Sequence, residues 1–262
     1  MRIGYFADGA WSHKAIEKIT SNKDLKISFI VPRYSTQDPV LKLWAKKLQI
    51  DYLIIKNVNN IGSIEKLKKY NVDILVSMSF DQIFKKTILS IANLGTINCH
   101  AGALPFYRGR NILNWVLIND EPSFGVTVHY VNEGIDTGDI ILQHKEKIND
   151  TDDYGSILNK ATDICANLLN QSLINISKNK ILRIKQSSID SVGSYYRKRI
   201  IGDEVIDWNL NTRKIFNFVR SITTPGPCAR GFIGENEVKI KKVAEVYSIK
   251  SLCKLGQIIK KN

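Results

Sequence analysis

Residues 73–99 read DILVSMSFDQIFKKTILSIANLGTINC. Asp73 to Met78 is a near-continuous apolar run, the composition of a strand buried on both faces. A short helix over Gln82–Ile91 and a second strand over Gly95–Cys99 follow. Strand, helix and strand at this spacing predict parallel neighbours joined by a crossover, and the same alternation extends back to the start of the chain. Arg2–Phe6 reads as a strand, Asp8-Gly9 as a turn, and Ser12 as the cap of a helix reaching Lys18. A strand at Leu25–Val31 stops at Pro32. A helix at Pro39–Leu48, a strand at Tyr52–Ile55 and a helix at Ser63–Tyr70 complete the series. The expected architecture is an α/β, Rossmann-like, mostly parallel sheet with flanking helices.

Beyond residue 110 the rhythm changes. A helix is expected at Asn111–Ile118, strands at Gly125–Val131 and Asp139–Gln143, and a long helix at Tyr154–Ile176. That helix repeats apolar residues at Ile157, Leu158, Ala161, Ile164, Cys165, Leu168 and Leu169. Lys, Asn and Ser dominate 178–195, so the expected division is 1–190 for a main domain and 191–262 for a small basic one. The latter holds a helix at Thr212–Ile222, closed by Thr224-Pro225-Gly226-Pro227, then strands around Gly231 and over Val238–Val246.

With 44% hydrophobic and 24% charged residues in a chain of 262, a packed core is affordable and disorder is not expected. Nothing approaches the roughly 18 successive apolar residues of a membrane helix. Met1–Gly9 lacks the apolar segment of a secretory leader, so the cytoplasm is the expected compartment. Cysteines 99, 165, 228 and 253 and histidines 13, 100, 129 and 144 form no ligand pairs, so no metal site is expected. Phosphate-binding Gly-rich loops and a Gly-x-Ser-x-Gly elbow are absent. The net charge of +13 is uneven: residues 178–262 carry 18 Lys/Arg against 7 Asp/Glu. Such an element attracts anions or is simply a solvated basic surface.

Asn98 and His100 lie two apart at the end of an apolar strand, so they share a face at the carboxyl edge, where open α/β sheets bind ligands. Gly- and Pro-rich residues 101–109 follow and bring backbone amides close to a ligand. Asp136 occupies a Gly-flanked turn before a strand, placed to lend a carboxylate to a neighbouring loop or to bond its own backbone. His129 alternates on a strand and reads as structural. His144 and Lys145 read as a solvated strand end.

Asn98-x-His100, the Leu104-Pro105 loop and Asp136-Thr137-Gly138 at this separation resemble the formyltransferase family that uses N10-formyltetrahydrofolate. The resemblance covers most of residues 1–150 and is strongest over 95–143. It continues more weakly through Tyr195–Arg199, Ile206–Trp208 and Phe218–Ser221. It implies that Asn98 donates to a developing oxyanion. His100 would bond the same oxygen or take the amine proton, and Asp136 would orient the imidazole or relay the proton. It also implies a pterin site along Ser77, Met78, Ser79, Phe80, Asp81, Gln82 and Ile83, where core packing is the competing reading for Met78 and Phe80.

Tyr107–Asn111 and Leu113–Asn119 resemble the branch acting on nucleotide-linked (dTDP, UDP or GDP) amino sugars of surface polysaccharides such as O-antigen. About 55 residues follow Trp208, fewer than the C-terminal β-barrel of the tRNA enzymes requires. A helix and hairpin forming a homodimer contact is expected instead, with no membrane or nucleic-acid partner. Arg108, Arg110, Arg197 and Arg220 are candidates for a diphosphate, because guanidinium donates two parallel hydrogen bonds. Tyr107, Gly109, Trp11 and His13 complete the candidate substrate edge. Two alternatives stand beside this reading. One is a methionyl-tRNA formyltransferase with a shortened tail. The other is a silent nucleotide- or RNA-binding module, against which the three polar residues argue.

Overall fold

The computed structural model describes residues 1–244. In chain order the elements are β1 (Arg2–Ala7), α1 (Gly9–Thr20), β2 (Lys26–Pro32), α2 (Pro39–Leu48), β3 (Asp51–Tyr52), α3 (Ile61–Lys68), β4 (Ile74–Met78), α4 (Lys86–Leu89) and β5 (Thr96–His100). Then come β6 (Arg108–Gly109), α5 (Ile112–Ile118), β7 (Ser123–Tyr130), β8 (Ile140–Lys147), α6 (Tyr154–Ser177), β9 (Tyr195–Tyr196), α7 (Thr212–Ile222), β10 (Ala229–Ile233) and β11 (Asn236–Ile240).

Seven strands form one sheet in the order β3-β2-β1-β4-β5-β7-β8. The first five are parallel, and β7 runs antiparallel to β5. The chain steps outward from β1 to β3 and then crosses to β4 on the other side of β1. That reversal opens a crevice at the carboxyl ends of β1 and β4, the place where such sheets take ligands. The apolar run that predicted β4 is buried at Ile74, Leu75, Val76 and Met78, as a two-sided strand requires. One core cluster packs Phe6, Phe29, Leu75, Phe84 and Ile88 between sheet and helices.

Local chemistry accounts for several boundaries. Asp38 accepts from Val40 N and Leu41 N with Pro39 in the first helical turn, so α2 begins and ends where the sequence predicts. Asn211 does the same for α7 through Lys214 N. The long helix α6 buries Ile157, Ala161, Cys165, Leu169 and Leu173, a stripe of four-residue spacing. Elsewhere the expectation shifts. α1 starts at Gly9 after the extended Asp8, and Ser12 is a buried first-turn residue donating to Gly9 O, not the cap. β3 has two residues where Tyr52–Ile55 was expected. The helix expected over Gln82–Ile91 is four residues long, because Phe80 and Phe84 turn inward onto Phe6 and hold the preceding chain irregular.

The chain divides into two compact units. The first comprises Met1–Gly109, Gly125–Lys145 and Lys160–Tyr195, and the second Arg110–Phe124, Glu146–Asn159 and Tyr196–Asn262. The second unit is therefore not the contiguous tail expected from residue 191. Its core gathers Ile206, Val219, Ile222 and Ala229 with Trp208 and Phe218, and Asn114 of α5 donates to Ser221 O of α7. α5 belongs with α7, a long-range pairing that local composition does not announce. The hairpin β10–β11 is present. Residues 245–246 of the expected last strand, Cys253 and the remainder of the expected dimer element lie outside the described residues. Cys99, Cys165 and Cys228 are buried free thiols. No described helix is long and apolar enough to cross a membrane, and among the described residues no cluster of metal-ligating side chains occurs.

Candidate active site

The register of β5 against β7 builds the site. Asn98 pairs with His129 across the antiparallel ladder, and His100 with Thr127. Asn98 and His100 share a face of β5, and the cross-strand neighbour of Asn98 brings a second imidazole to it. Asn98 Nδ2 lies 3.2 Å from His129 Nε2, while His129 Nδ1 lies 2.8 Å from Tyr130 O. His129 Nδ1 donates to that carbonyl, and its Nε2 faces the Asn98 amide. One Asn98 N–H remains to meet a ligand.

His100 is buried at 8% exposure. Its Nε2 donates to Tyr107 O at 2.7 Å, leaving Nδ1 3.6 Å from Asp136 Oδ2. The other carboxylate oxygen, Oδ1, lies 3.6 Å from His129 Nε2. Asp136 thus stands between two imidazoles, and Gly109 N donates to its Oδ2 at 3.0 Å. Burial holds the His100 pKa below its ordinary 6.5, against the attraction of Asp136 and the Tyr107 carbonyl, which act upward. Burial alone would raise the Asp136 pKa, but His100, His129 and the Gly109 amide outweigh it and hold the carboxyl well below its ordinary 3.8. The resting site is a neutral His100 with an open Nδ1 lone pair beside an ionised carboxylate.

The loop after β5 is shaped by close approaches. A Cβ on Gly102 would overlap Tyr107 O and stand 2.6 Å from His100 Nε2, so only glycine lets that hydrogen bond form. Thr127 Oγ1 donates to Gly102 O at 2.7 Å, and Gln143 Nε2 donates to Leu104 O at 2.8 Å, tying the loop to β7 and β8. Asp136 adopts φ +53°. Gly138 passes so close to β7 that a Cβ would overlap Tyr130 O, so the turn is pressed onto the strand carrying His129.

The structure thus brings Asn98, His100 and Asp136 together and adds His129, which the sequence reading had taken as structural. Only the antiparallel pairing of 97–100 with 127–130 puts position 129 opposite position 98, and local alternation carries no sign of it. In the segment expected to hold a pterin, several side chains turn inward. Met78 is buried, Phe80 packs on Phe6 and Phe84, and Gln82 binds Val58 N and Ile55 O. Ser79 Oγ accepts from Arg33 Nη2. Ser77 is half-buried at the end of β4, and only Asp81 and Ile83 are exposed.

The candidate substrate residues fall in both units. In the first, Trp11 is half-buried on α1, and His13 Nε2 lies 2.7 Å from Asp38 Oδ2, which also accepts from Gly9 N. Tyr107 is buried and serves His100 through its carbonyl, and Gly109 serves Asp136 through its amide. Arg108 is spent on Gln186 Oε1 and Val192 O. In the second unit Arg110 is exposed, while Arg197 forms a bidentate pair with Asp203. Arg220 does not fit the role expected of it. At 7% exposure it donates to Asn217 Oδ1, Asn149 O and Asp152 O, which makes it an internal brace.

Comparison with known proteins adds the following. A family profile described as "Formyl transferase" matches residues 16–182, and one described as "Formyl transferase, C-terminal domain" matches 202–262. The chain is 38% identical over 196 residues to the bifunctional polymyxin resistance protein ArnA of Wigglesworthia glossinidia brevipalpis, spanning 75% of this chain and 30% of that one. It is 35% identical over 206 residues to a methionyl-tRNA formyltransferase of Thermodesulfovibrio yellowstonii, spanning 79% and 66%. The chain thus spans less than two thirds of the length of these relatives. Among solved structures, a sugar N-formyltransferase from Shewanella sp FDAARGOS_354 superposes with a TM-score of 0.75 at 18% identity, covering 95% of this chain and 99% of that one. An N-formyltransferase from Helicobacter canadensis in complex with folinic acid and dTDP-3-aminofucose superposes at 0.70 and 21%, covering 87% and 82%. At these identities the likeness is one of fold.

Proposed function

Since the chain belongs to the formyl transferase family, we propose that it moves a formyl group from N10-formyltetrahydrofolate to the amine of a nucleotide-linked amino sugar. The observation that carries formyl transfer is the Asn98, His129, Asp136 and His100 cluster, whose successive members lie 3.2, 3.6 and 3.6 Å apart. Folds shared with sugar N-formyltransferases, one of them holding folinic acid and dTDP-3-aminofucose, support the sugar acceptor. So does the resemblance of Tyr107–Asn119 to that branch.

The reaction forms a bond from the acceptor nitrogen to the formyl carbon and breaks the bond from that carbon to N10. One proton passes from the attacking amine to the departing N10. The free N–H of Asn98 is aimed where negative charge grows on the formyl oxygen, a placement worth about 2.7–4 kcal/mol in comparable sites. His100 receives the amine proton at Nδ1, and the ionised Asp136 at 3.6 Å stabilises the imidazolium so formed. His129 holds the Asn98 amide in plane by accepting its other N–H.

A methionyl-tRNA acceptor is the second reading, favoured by the curated relatives of that name and by the excess of cations in 178–262. Purified protein with N10-formyltetrahydrofolate and a panel of dTDP-, UDP- and GDP-linked amino sugars, run beside methionyl-tRNA, separates the two. Formylation of an amino sugar is the expected result. Formylation of methionyl-tRNA with every amino sugar untouched would overturn the sugar assignment, and no transfer to either would overturn the reaction.

A further inference from the structure

We infer that Gln186, anchored by Arg108, is a positioning residue that fixes the main chain of Asp136, and that Arg108 serves this brace rather than an anionic ligand. The inference rests on the formyl-transfer reading. Gln186 lies in the short turn Gln186–Ser188 and is 4% exposed. Its amide nitrogen donates to Asp136 O at 2.8 Å and Gly138 O at 2.7 Å. Its Oε1 accepts from Arg108 Nε at 3.1 Å and Nη2 at 2.7 Å. A guanidinium only donates, so the orientation of the amide is determined, and both of its donors go to the two carbonyls flanking Thr137.

Asp136 needs such a hold. Its left-handed backbone is unfavourable for a residue with a Cβ, so the turn persists only where its surroundings impose it. It is gripped at both ends. Gln186 takes its carbonyl, and Gly109 N takes its carboxylate. The two grips converge on Arg108, whose side chain reaches Gln186 and whose chain neighbours are Gly109 and Tyr107, the latter accepting from His100. A closed circuit of hydrogen bonds therefore ties the base, the carboxylate and its turn to one three-residue segment. Breaking it lets Asp136 swing away from two imidazoles that it meets at 3.6 Å each. Arg108 Nη1 is also engaged, by Val192 O at 3.1 Å. A phosphate would have to displace Gln186 to reach the guanidinium's fork.

Gln186→Glu is the sharpest test. Glutamate keeps the shape and the acceptor that Arg108 requires, while an ionised carboxylate donates to neither carbonyl. Given wild-type turnover, Q186E is expected to lose kcat by about a hundredfold, the scale of a displacement near 1 Å at a reacting group. KM for donor and acceptor stays within about twofold. The pH profile of kcat/KM shifts on its acid limb, because His100 loses the attraction of a nearby carboxylate. A loss of folded protein alone would lower the amplitude and leave the profile in place. Arg108→Met is expected to reduce kcat by about tenfold on the same scale, and D136N combined with Q186E falls no further than D136N, as members of one unit do. Should Q186E not fold, R108M carries the test, since it leaves the Gln186 amide in place. Wild-type kcat in folded Q186E, or in R108M a raised acceptor KM at unchanged kcat, overturns the brace. Absence of turnover in the wild-type protein overturns the functional reading instead, so the two failures are told apart.

Discussion

Asp136 in the first unit meets two imidazoles at 3.6 Å without completing a hydrogen bond to either, whereas Arg213 in the second unit meets Asp120 at 2.6 Å and Asp150 at 2.7 Å. Around β5, ionisable groups are buried and partly satisfied, with main-chain atoms filling some valences and leaving His100 Nδ1 and one Asn98 N–H open. In the second unit the arginines are numerous and already answered: Arg197 by Asp203, Arg213 by Asp120 and Asp150, Arg230 by Glu204 and Glu237. A count of charges points to the second region. The state of each valence points to the first. Chemistry needs groups whose partners are incomplete, and an arginine matched to carboxylates contributes shape and cohesion more than affinity for anions.

The largest expected effect tests that contrast at Arg220. If it is an internal brace, Arg220→Ala removes the donor to Asn217 Oδ1 and one donor each to the Asn149 and Asp152 carbonyls. Losing hydrogen bonds from a buried charged group costs about 1.5–3 kcal/mol each. Urea unfolding would register the loss, with acceptor KM unchanged in the protein that stays folded. A raised KM at native stability would restore the anion-binding role and weaken the contrast. Next comes Asn98→Ala. It is expected to lower kcat by about 10²–10³, equivalent to about 2.7–4 kcal/mol. Thermal stability should fall only modestly, since Asn98 is half-buried and the lost bond to His129 is worth about 0.5–1.5 kcal/mol. A variant with wild-type kcat would show that the amide is not the oxyanion donor.

How far the chain could be read in advance follows the same division. Parallel strands with short crossovers declare themselves through apolar runs, so β4 and β5 emerge close to where they were expected, and Asn98, His100 and Asp136 lie near one another as the family resemblance implies. Turns and caps with local chemistry, such as Asp38-Pro39 and Asn211, are equally legible. What escapes is long-range. His129 belongs to the site only because β7 turns back antiparallel to β5. Gln186 reaches Asp136 across 50 residues with no periodicity to betray it. Arg108 and Arg220 look alike in sequence to any phosphate-binding arginine, and only their partners reveal them as braces. Residues 110–124 and 146–159 join the second unit although they precede residue 190 in the chain. That membership is decided by tertiary packing of α5 on α7.

Gly102→Ala probes the first region more gently. The added carbon meets both ends of the bond from His100 to Tyr107 O, so one of them must move. Overpacking of this kind costs about 1–3 kcal/mol. Because the strain falls on the base, kcat should drop by more than the stability loss explains. Equal wild-type kcat would show that His100 tolerates displacement and that its tether to Tyr107 is not required.

The smallest effect is a dependence of stability on pH, and its sign follows from the two shifted groups. In the folded chain both His100 and Asp136 bind protons more weakly than at their ordinary values of 6.5 and 3.8. The unfolded chain therefore takes up protons first as pH falls. Stability is fully present above 6.5, begins to decline below it as unfolded His100 charges, and declines again below 3.8 as unfolded Asp136 neutralises. Asp136→Asn should erase the lower step and lengthen the upper one, because without the carboxylate only the Tyr107 carbonyl opposes the burial that keeps His100 neutral. Other carboxylates also titrate in acid, so the informative quantity is the difference in Tm between wild type and D136N across pH 3–8. A difference that stays constant over that range would mean that Asp136 and His100 do not sense one another, and the first region would then be no more than another set of paired side chains.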